Sequence, residues 1–208
     1  MSCSWSLRAG CICRFRTYCD KSRKVLCKAG YQPIGLDHFV REDDELSIAL
    51  KNGQLHRNFQ GYCTRRTTGQ VYAFGVTGIS QLGTAYIQNT KSIPKYIEKL
   101  EVGTLPVAKG YALNKDEQIT REVIEMLMCN YTIRWEELAQ RLSLSVEAIK
   151  QATAYDEQRL QEFAQDGLIT WDADHIHMTS EGKLFVRNVA ASLDKLMLKT
   201  DKSFSKPV

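Results

Sequence analysis

The sequence predicts an α+β protein in which short strands and helices share the first half and helices dominate the second. In the first half, a strand-forming stretch at 31–36 follows a helix-forming stretch that Gly30 would end, which indicates a helix-to-strand unit. In the second half, apolar residues recur at helical spacing, as in Ile119, Val123 and Leu127. One hairpin pattern at 168–178 interrupts these helices.

The first 110 residues alternate between predicted helices and strands. Asp37, His38 and Phe39 fall at the carboxyl end of the first predicted strand, where α/β folds place ligand-binding groups. Residues 1–20 lack periodicity and predict a poorly ordered arm. The remaining predictions are a basic helix from Lys21 that Gly30 ends, a helix at 41–54 that Gly53 ends, a strand at 71–80, a helix at 86–100 interrupted by Pro94, and a linker at 103–110.

The second half predicts a series of helices around the hairpin. Asn114 is a candidate N-cap, with Glu117 placed to complete a capping box. The pattern then predicts a helix at 136–141, a turn at 142–145, a helix at 146–163, the hairpin, and a last helix capped by Thr179 with an apolar stripe of Phe185, Val189, Leu193 and Leu196. This order of elements is winged-helix-like.

Composition indicates a globular chain. Of 208 residues, 43% are hydrophobic and 25% are charged, and no apolar run approaches the ~20 residues of a membrane-spanning helix. Residues 1–10 also lack the apolar core of a signal peptide, so we expect a cytoplasmic protein that does not bind membranes.

The net charge of +4 is unevenly distributed along the chain. Residues 1–28 contain seven basic side chains and one acid, whereas residues 116–170 contain five basic and eleven acidic side chains. The predicted second helix of the winged-helix-like region, within 145–167, carries five acids and two bases, which is the wrong sign for contacts to phosphate. We therefore expect a packing or lid domain and no nucleic-acid partner.

Cysteine and histidine patterns leave metal binding open but do not favour it. Five of the seven cysteines lie in the first 27 residues, at spacings that lack the C-x2-C pairs of zinc sites. His175 and His177 lie two apart on a predicted strand and are either a metal-binding pair or, as we favour, exposed histidines of the hairpin. Because no nucleophilic triad can be assembled either, the sequence predicts no metal site and no catalytic residue.

The stretch Leu55–Tyr62 has the composition of a binding site. Polar groups of His56, Arg57, Asn58 and Gln60 lie beside Phe59 and Tyr62. Such a mixture suits a planar or anionic ligand, although an ordinary surface loop remains the alternative. Of the neighbouring pair Asp37 and His38, which face opposite sides of a strand, we expect His38 to face the ligand.

Several strings resemble one family in order and spacing. They are Ala29-Gly30-Tyr31, Ile34-Gly35-Leu36-Asp37-His38-Phe39, Asp43-Asp44-Glu45-Leu46, Leu55-His56-Arg57-Asn58-Phe59-Gln60-Gly61-Tyr62 and Gly75-Val76-Thr77-Gly78-Ile79-Ser80. Together they closely resemble oxygen-independent coproporphyrinogen III oxidase, a radical S-adenosylmethionine family of haem biosynthesis. The resemblance runs from about Lys28 to the C-terminus. The string from His56 to Tyr62 is its most specific part, and the haem-chaperone relatives carry a different string there.

The resemblance implies a reaction and its cofactors. In the full-length family, S-adenosyl-L-methionine and a [4Fe–4S] cluster support oxidative decarboxylation of coproporphyrinogen III to protoporphyrinogen IX by a monomeric enzyme. The family holds its cluster with a C-x3-C-x2-C motif, which these 208 residues do not contain. We therefore expect a truncated, C-terminal part of such an enzyme that is inactive alone. The alternative is a non-catalytic porphyrin- or haem-binding module.

The resemblance also divides the chain and assigns residues. It implies a basic, cysteine-rich arm at 1–27 that is foreign to the family, the end of a radical S-adenosylmethionine α/β barrel with its pocket segment at 28–109, and a helical winged-helix-like domain at 110–208. Ile79, Phe59 and Gln60 match cofactor-contacting positions of the family. Our own hypothesis is that His56 and Arg57 bind the substrate's carboxylates, because charge-assisted hydrogen bonds to carboxylates are strong.

Overall fold

The computed structural model describes residues 21–35, 38–58, 61–64 and 70–198. The predicted disordered arm at 1–20 therefore lies outside the described residues. Within the described ranges, no helix is both long enough and apolar enough to cross a bilayer.

The N-terminal part consists of helix α1 and two antiparallel hairpins around helix α2. Helix α1 occupies 21–28 and ends at Gly30, which has a φ of 86° as predicted for a helix-ending glycine. The strand predicted at 31–36 is observed at Tyr31–Ile34, but His38 and Phe39, predicted at its carboxyl end, begin a second strand that pairs antiparallel with it. The bounds are β1 Tyr31–Ile34, β2 His38–Arg41, α2 Glu45–Lys51, β3 Leu55–Arg57 and β4 Tyr62–Thr64.

Helix α2 closes a small apolar core over these hairpins. Asp44 caps its first turn through a hydrogen bond from the Leu46 amide, and Gly53 follows its end with a φ of 65°. The core contains Ile34, Ala49, Leu55, Tyr62 and, from the C-terminal half, Cys129. The helical periodicity of 41–54 would bury Ile48 with Ala49, but Ile48 is 50% exposed because α2 turns Ser47 and Ala49 inward.

Residues 70–112 form a three-stranded antiparallel sheet with one helix, which differs from the prediction. Of the strand predicted at 71–80, only Ile79 and Ser80 are in a strand, β5, and the rest is one bridge at Val71 and a loop. The predicted helix at 86–100 is strand β6 followed by α3, because Pro94 lies in the first helical turn, where its fixed φ is tolerated. Residues 107–110 of the predicted linker belong to strand β7. The bounds are β5 Ile79–Gln81, β6 Ala85–Asn89, α3 Ile93–Glu101 and β7 Val107–Ala112, with strand order β5-β6-β7.

The C-terminal part follows the predicted order of elements more closely. The Asn114–Glu117 capping box is present, and the hairpin has the predicted position. The predicted helix at 146–163 is two helices, because Asp156 caps a new one. The bounds are α4 Lys115–Asn130, β8 Thr132–Arg134, α5 Trp135–Leu142, α6 Val146–Ala152, α7 Glu157–Gln165, β9 Ile169–Trp171, β10 His175–Met178, a 3-10 helix Gly182–Phe185, α8 Val186–Ser192 and α9 Lys195–Leu198.

The larger core lies in this C-terminal part. Helix α4 contributes Val123 and Leu127, the three-stranded sheet β8-β10-β9 contributes Ile133 and Ile176, and α8 contributes Val189. Leu196, predicted as part of the last apolar stripe, is 47% exposed because α8 ends before it and α9 starts a new direction. Helix α4 also packs on strand β3, so the two parts of the chain share one interface.

Candidate functional site

A cavity of about 530 Å³ lies where strand β3, the β5-β6-β7 sheet and helix α4 converge. Its volume is within the range of small-molecule sites in proteins. Aromatic, apolar and charged side chains share its lining. They are Arg57, Asn58, Gln81, Tyr86, Tyr111, Leu113, Glu117, Thr120, Arg121, Ile124, Glu125, Met128, Asp194 and Leu196.

Arg57, at the end of strand β3, presents a guanidinium to this cavity. The group lies 5.1 Å from the centre of the Tyr62 ring, and its Nη1 donates to the Tyr62 hydroxyl over 3.3 Å. This is its one hydrogen bond among the described residues. A guanidinium has five N–H donors in a planar fork. The contact with Tyr62 therefore leaves N–H groups that can donate hydrogen bonds to a carboxylate in the cavity.

His56, the neighbour of Arg57, is buried away from the cavity lining. It is 4% exposed, and its Nδ1 is in hydrogen-bond contact with Oε1 of Glu125 on helix α4. Since a carboxylate oxygen accepts, the imidazole Nδ1–H donates. The His56 side chain thus points from strand β3 to helix α4, whereas Arg57 lines the cavity. A carboxylate-binding role for His56 stays a prediction.

Tyr62 brings His38 and Arg57 together. The His38 ring meets the Tyr62 ring edge to face at 5.2 Å between centroids, and Arg57 stacks over the same ring. Gly35 lies against Tyr62 so closely that an added Cβ would be 1.9 Å from the hydroxyl oxygen. The carbonyl of Gly35 accepts a 2.7 Å hydrogen bond from the Tyr131 hydroxyl, and burial raises the pKa of Tyr131.

Arg121, the second arginine of the cavity, is committed to the protein. Its two Nη atoms donate to the carbonyls of Leu82 and Gly83 over 3.1 and 2.9 Å, and its side chain also hydrogen-bonds Tyr86. Burial raises the pKa of Tyr86, and the adjacent Arg121 partly offsets that rise. Arg121 therefore ties helix α4 to the β5–β6 turn, and Arg57 is the cation better placed to meet a ligand.

The remaining predicted site residues are only partly described. Ile79 is half-buried in strand β5, two residues from Gln81, which lines the cavity. Phe59 and Gln60, predicted to contact a cofactor, lie outside the described residues, as do Leu36 and Asp37. The structure therefore brings Arg57 to the cavity, with His38 beside it through Tyr62.

Sequence reasoning missed the helix α4 side of the cavity. Glu117, Arg121, Ile124 and Met128 recur at helical spacing and line the cavity beside the core stripe of the same helix. This spacing is visible in the sequence, and a second stripe of mixed polarity on a helix could have indicated a surface facing a cavity.

The described residues do not fit a [4Fe–4S] cluster. Cluster binding needs several cysteine thiolates converging on one point. The described cysteines differ in environment, with Cys27 exposed, Cys63 half-buried and Cys129 buried. Within the described ranges, no group of three or more His, Cys, Asp or Glu side chains is placed to hold a metal ion.

Known proteins resemble this chain in sequence and in fold. The family model described as the HemN C-terminal domain matches residues 113–185. The oxygen-independent coproporphyrinogen III oxidase of Salmonella typhimurium is 38% identical over 169 residues, which are 81% of this chain and 36% of that protein. This chain is related to the C-terminal portion of the oxygen-independent coproporphyrinogen III oxidases.

Further relatives agree with this assignment. The enzyme of the same name from Helicobacter pylori strain 26695 is 36% identical over 179 residues, covering 86% of this chain and 38% of that protein. The solved structure of coproporphyrinogen III oxidase (HemN) from Escherichia coli, a radical SAM enzyme, matches with a TM-score of 0.77 and 36% identity. That match covers 85% of this chain and 40% of the E. coli chain. The chain thus spans less than half the length of these relatives.

Proposed function

We propose that this chain forms one wall of the substrate cavity and the C-terminal domain of an oxygen-independent coproporphyrinogen III oxidase. In this proposal, residues 28–109 are the end of a radical S-adenosylmethionine barrel with its pocket segment, and residues 110–208 are a winged-helix-like domain. The substrate is coproporphyrinogen III, which is oxidatively decarboxylated to protoporphyrinogen IX.

The position of Arg57 is the observation that carries this proposal. Arg57 lines the cavity and belongs to the string that most specifically resembles the family, and its guanidinium stacks over the Tyr62 ring. The apolar side chains of Leu113, Ile124 and Met128 belong to the same lining and would contact a tetrapyrrole. Arg57 would bind a propionate carboxylate, and the apolar lining would orient the macrocycle and exclude water.

Radical generation is not assigned to this chain. The 208 residues contain no C-x3-C-x2-C motif, and the described residues supply no cluster site. In the family, the cofactor and cluster supply the radical that initiates decarboxylation. We therefore expect the isolated chain to bind a tetrapyrrole without converting it, which is also what the second candidate, a non-catalytic porphyrin-binding module, would do.

Tetrapyrrole binding is tested by fluorescence titration of coproporphyrin with the purified 208-residue chain. Replacing Arg57 by alanine should weaken binding by about 10- to 100-fold, since a charge-assisted hydrogen bond contributes roughly 1.5–3 kcal/mol. Arg41→Ala is the matched control, because Arg41 is an exposed strand-end arginine paired with Asp43. Equal affinities of all three proteins would overturn the role of Arg57.

Reconstitution tests whether the isolated chain can generate a radical. The isolated chain is incubated anaerobically with iron and sulfide and examined by electron paramagnetic resonance and for cleavage of S-adenosylmethionine. We expect no [4Fe–4S] signal and no cleavage from the isolated chain. A stable cluster with cofactor cleavage would contradict the expected inactivity. Activity of a chimera with a full-length relative, described in the Discussion, would favour the enzymatic role over the binding module.

A further inference from the structure

The segment 70–112 forms a folded unit without an apolar interior. None of its side chains belongs to either hydrophobic core described above. The side chains buried within it are those of Gln81, Asn89, Thr90 and Pro106. Asn89 holds the loop before β5 by donating to the carbonyls of Ala73 and Gly75. Polar contacts therefore organise the segment, and several of its large apolar side chains are exposed.

Helix α3 concentrates these apolar side chains in one stripe. Its inner face contacts the loop before β5 through Tyr96, whose hydroxyl accepts from the Gly75 amide, and strand β7 through Lys99, whose Nζ donates to the Val107 carbonyl. Beside that face lie Ile93, Ile97 and Leu100, at positions i, i+4 and i+7 and 61%, 49% and 48% exposed. This spacing is that of a helix face that packs against a partner.

The apolar surface continues beyond the helix. Leu105, in the turn before β7, is 77% exposed, and Phe74, next to the Gly75 that contacts α3, is 91% exposed. Exposed apolar residues gathered in this way mark interaction sites rather than ordinary surface. Strand β7 is an edge strand of the sheet in this segment. Among the described residues, it pairs with β6 on one side and with no strand on the other.

Two observations indicate what covers this surface. The chain spans 36% of the Salmonella enzyme and 40% of the Escherichia coli chain, so most of each relative has no counterpart here and must contact the matched part somewhere.

A second copy fits less well. Lys109 is exposed in the middle of β7, and two-fold pairing of that edge would bring it towards the Lys109 of the second copy.

We propose that the α3 stripe of Ile93, Ile97 and Leu100, extended by Leu105 and Phe74, is the docking surface for the remainder of an oxygen-independent coproporphyrinogen III oxidase. The occupant is the part of the relatives that this chain does not match. Docking buries the stripe. This inference rests on the proposed function, and its partner is the part of the oxidase that would complete the cavity.

The test is coexpression of the full 208-residue chain, carrying an affinity tag, with the portion of the Salmonella typhimurium enzyme that the chain does not match. The wild-type chain should capture this remainder in a 1:1 ratio, identified by mass spectrometry. Ile97→Lys and Leu105→Lys should each reduce capture about tenfold or more, because a lysine would be buried in an apolar interface. Ile48→Lys is the matched control, since Ile48 is a helical isoleucine with 50% exposure outside the segment.

The outcomes separate this inference from the proposed function. Because Ile97 and Leu105 are exposed, circular dichroism melting should show that both variants fold like the wild type. No capture by the wild-type chain, or equal capture by the variants, overturns the docking surface. A wild-type dimer that Ile97→Lys dissociates also overturns it and assigns the surface to a second copy. Either result leaves coproporphyrin binding through Arg57 unaffected. The proposed function is contradicted only if the titration shows no coproporphyrin binding that depends on Arg57.

Discussion

The imidazole of His56 is in hydrogen-bond contact with the carboxylate of Glu125, 69 residues further along the chain. The pair joins strand β3 to helix α4, and Glu125 lines the same cavity as Arg57. The site therefore depends on residues from both halves of the chain.

Removing Glu125 should destabilise the protein strongly. The side chains of His56 and Glu125 are 5% and 12% exposed, and deleting one partner of a buried pair typically costs about 3–5 kcal/mol. Glu137→Ala is the control, because its side chain is 51% exposed and pairs with Arg134 at 3.6 Å, and it should cost about 1 kcal/mol or less. Urea denaturation measures both. Equal losses for the two variants would show that the His56 contact has no special weight.

Gly35→Ala should disturb the Tyr62 ring that supports Arg57. Gly35 has a φ of 62°, and an added Cβ would overlap the Tyr62 hydroxyl. We expect a loss of about 2–4 kcal/mol from strain and overpacking together. Gly53→Ala shares the backbone strain, with a φ of 65°, but meets no atom within 4 Å, so it should lose only about 1–2 kcal/mol. Thermal denaturation compares them, and similar losses would rule out the clash with Tyr62.

Tyr131→Phe should remove a hydrogen bond between the two halves. The carbonyl of Gly35 would lose its 2.7 Å donor, at a cost of about 1–3 kcal/mol. Burial raises the pKa of Tyr131 above its ordinary value of 10.0, so the unfolded chain ionises first as pH rises. Wild-type stability should fall above pH 10.0, and Tyr131→Phe should fall less. Tyr72→Phe, at an exposed site, should match the wild type; identical pH profiles for all three would contradict this.

The β9–β10 turn should open in acid. Hydrogen bonds from the backbone amides of Asp174 and His175, at 2.8 and 2.9 Å, lower the pKa of Asp172 below its ordinary value of 3.8. A lowered carboxyl pKa stabilises the turn above pH 3.8, and this contribution disappears as pH falls through the folded-state pKa. Amide chemical shifts of Asp174 and His175 should report that transition. Asp172→Asn should abolish it, and a transition that persists in this variant would assign it to another group.

Local signals in the sequence predicted much of the C-terminal half. Asn114 and Glu117 formed the expected capping box, and the hairpin at 168–178 formed where its turn residues indicated. Local propensity gave a wrong prediction at residues 85–101. Pro94 was interpreted as an interruption within a helix, although it lies in the first turn of α3. Asp156, an unrecognised N-cap, likewise divided the predicted helix at 146–163.

The site could be predicted only in part, for a physical reason. Arg57 was identified because cationic and aromatic residues cluster near it in the chain. Glu125 and Arg121 were missed because their partners lie far away in sequence, at His56 and at the Leu82 and Gly83 carbonyls. Hydrogen bonds between distant segments leave no local pattern, so only the folded arrangement reveals them.

Activity of a chimera tests the central claim most directly. The 169 residues of the Salmonella typhimurium enzyme that match this chain are replaced by their counterparts here, and formation of protoporphyrinogen IX from coproporphyrinogen III is measured. We predict an active chimera in which Arg57→Ala lowers kcat/KM about 10- to 100-fold and Arg41→Ala does not. A folded chimera that cleaves S-adenosylmethionine but forms no protoporphyrinogen IX would contradict the proposal that this chain supplies the substrate-binding wall.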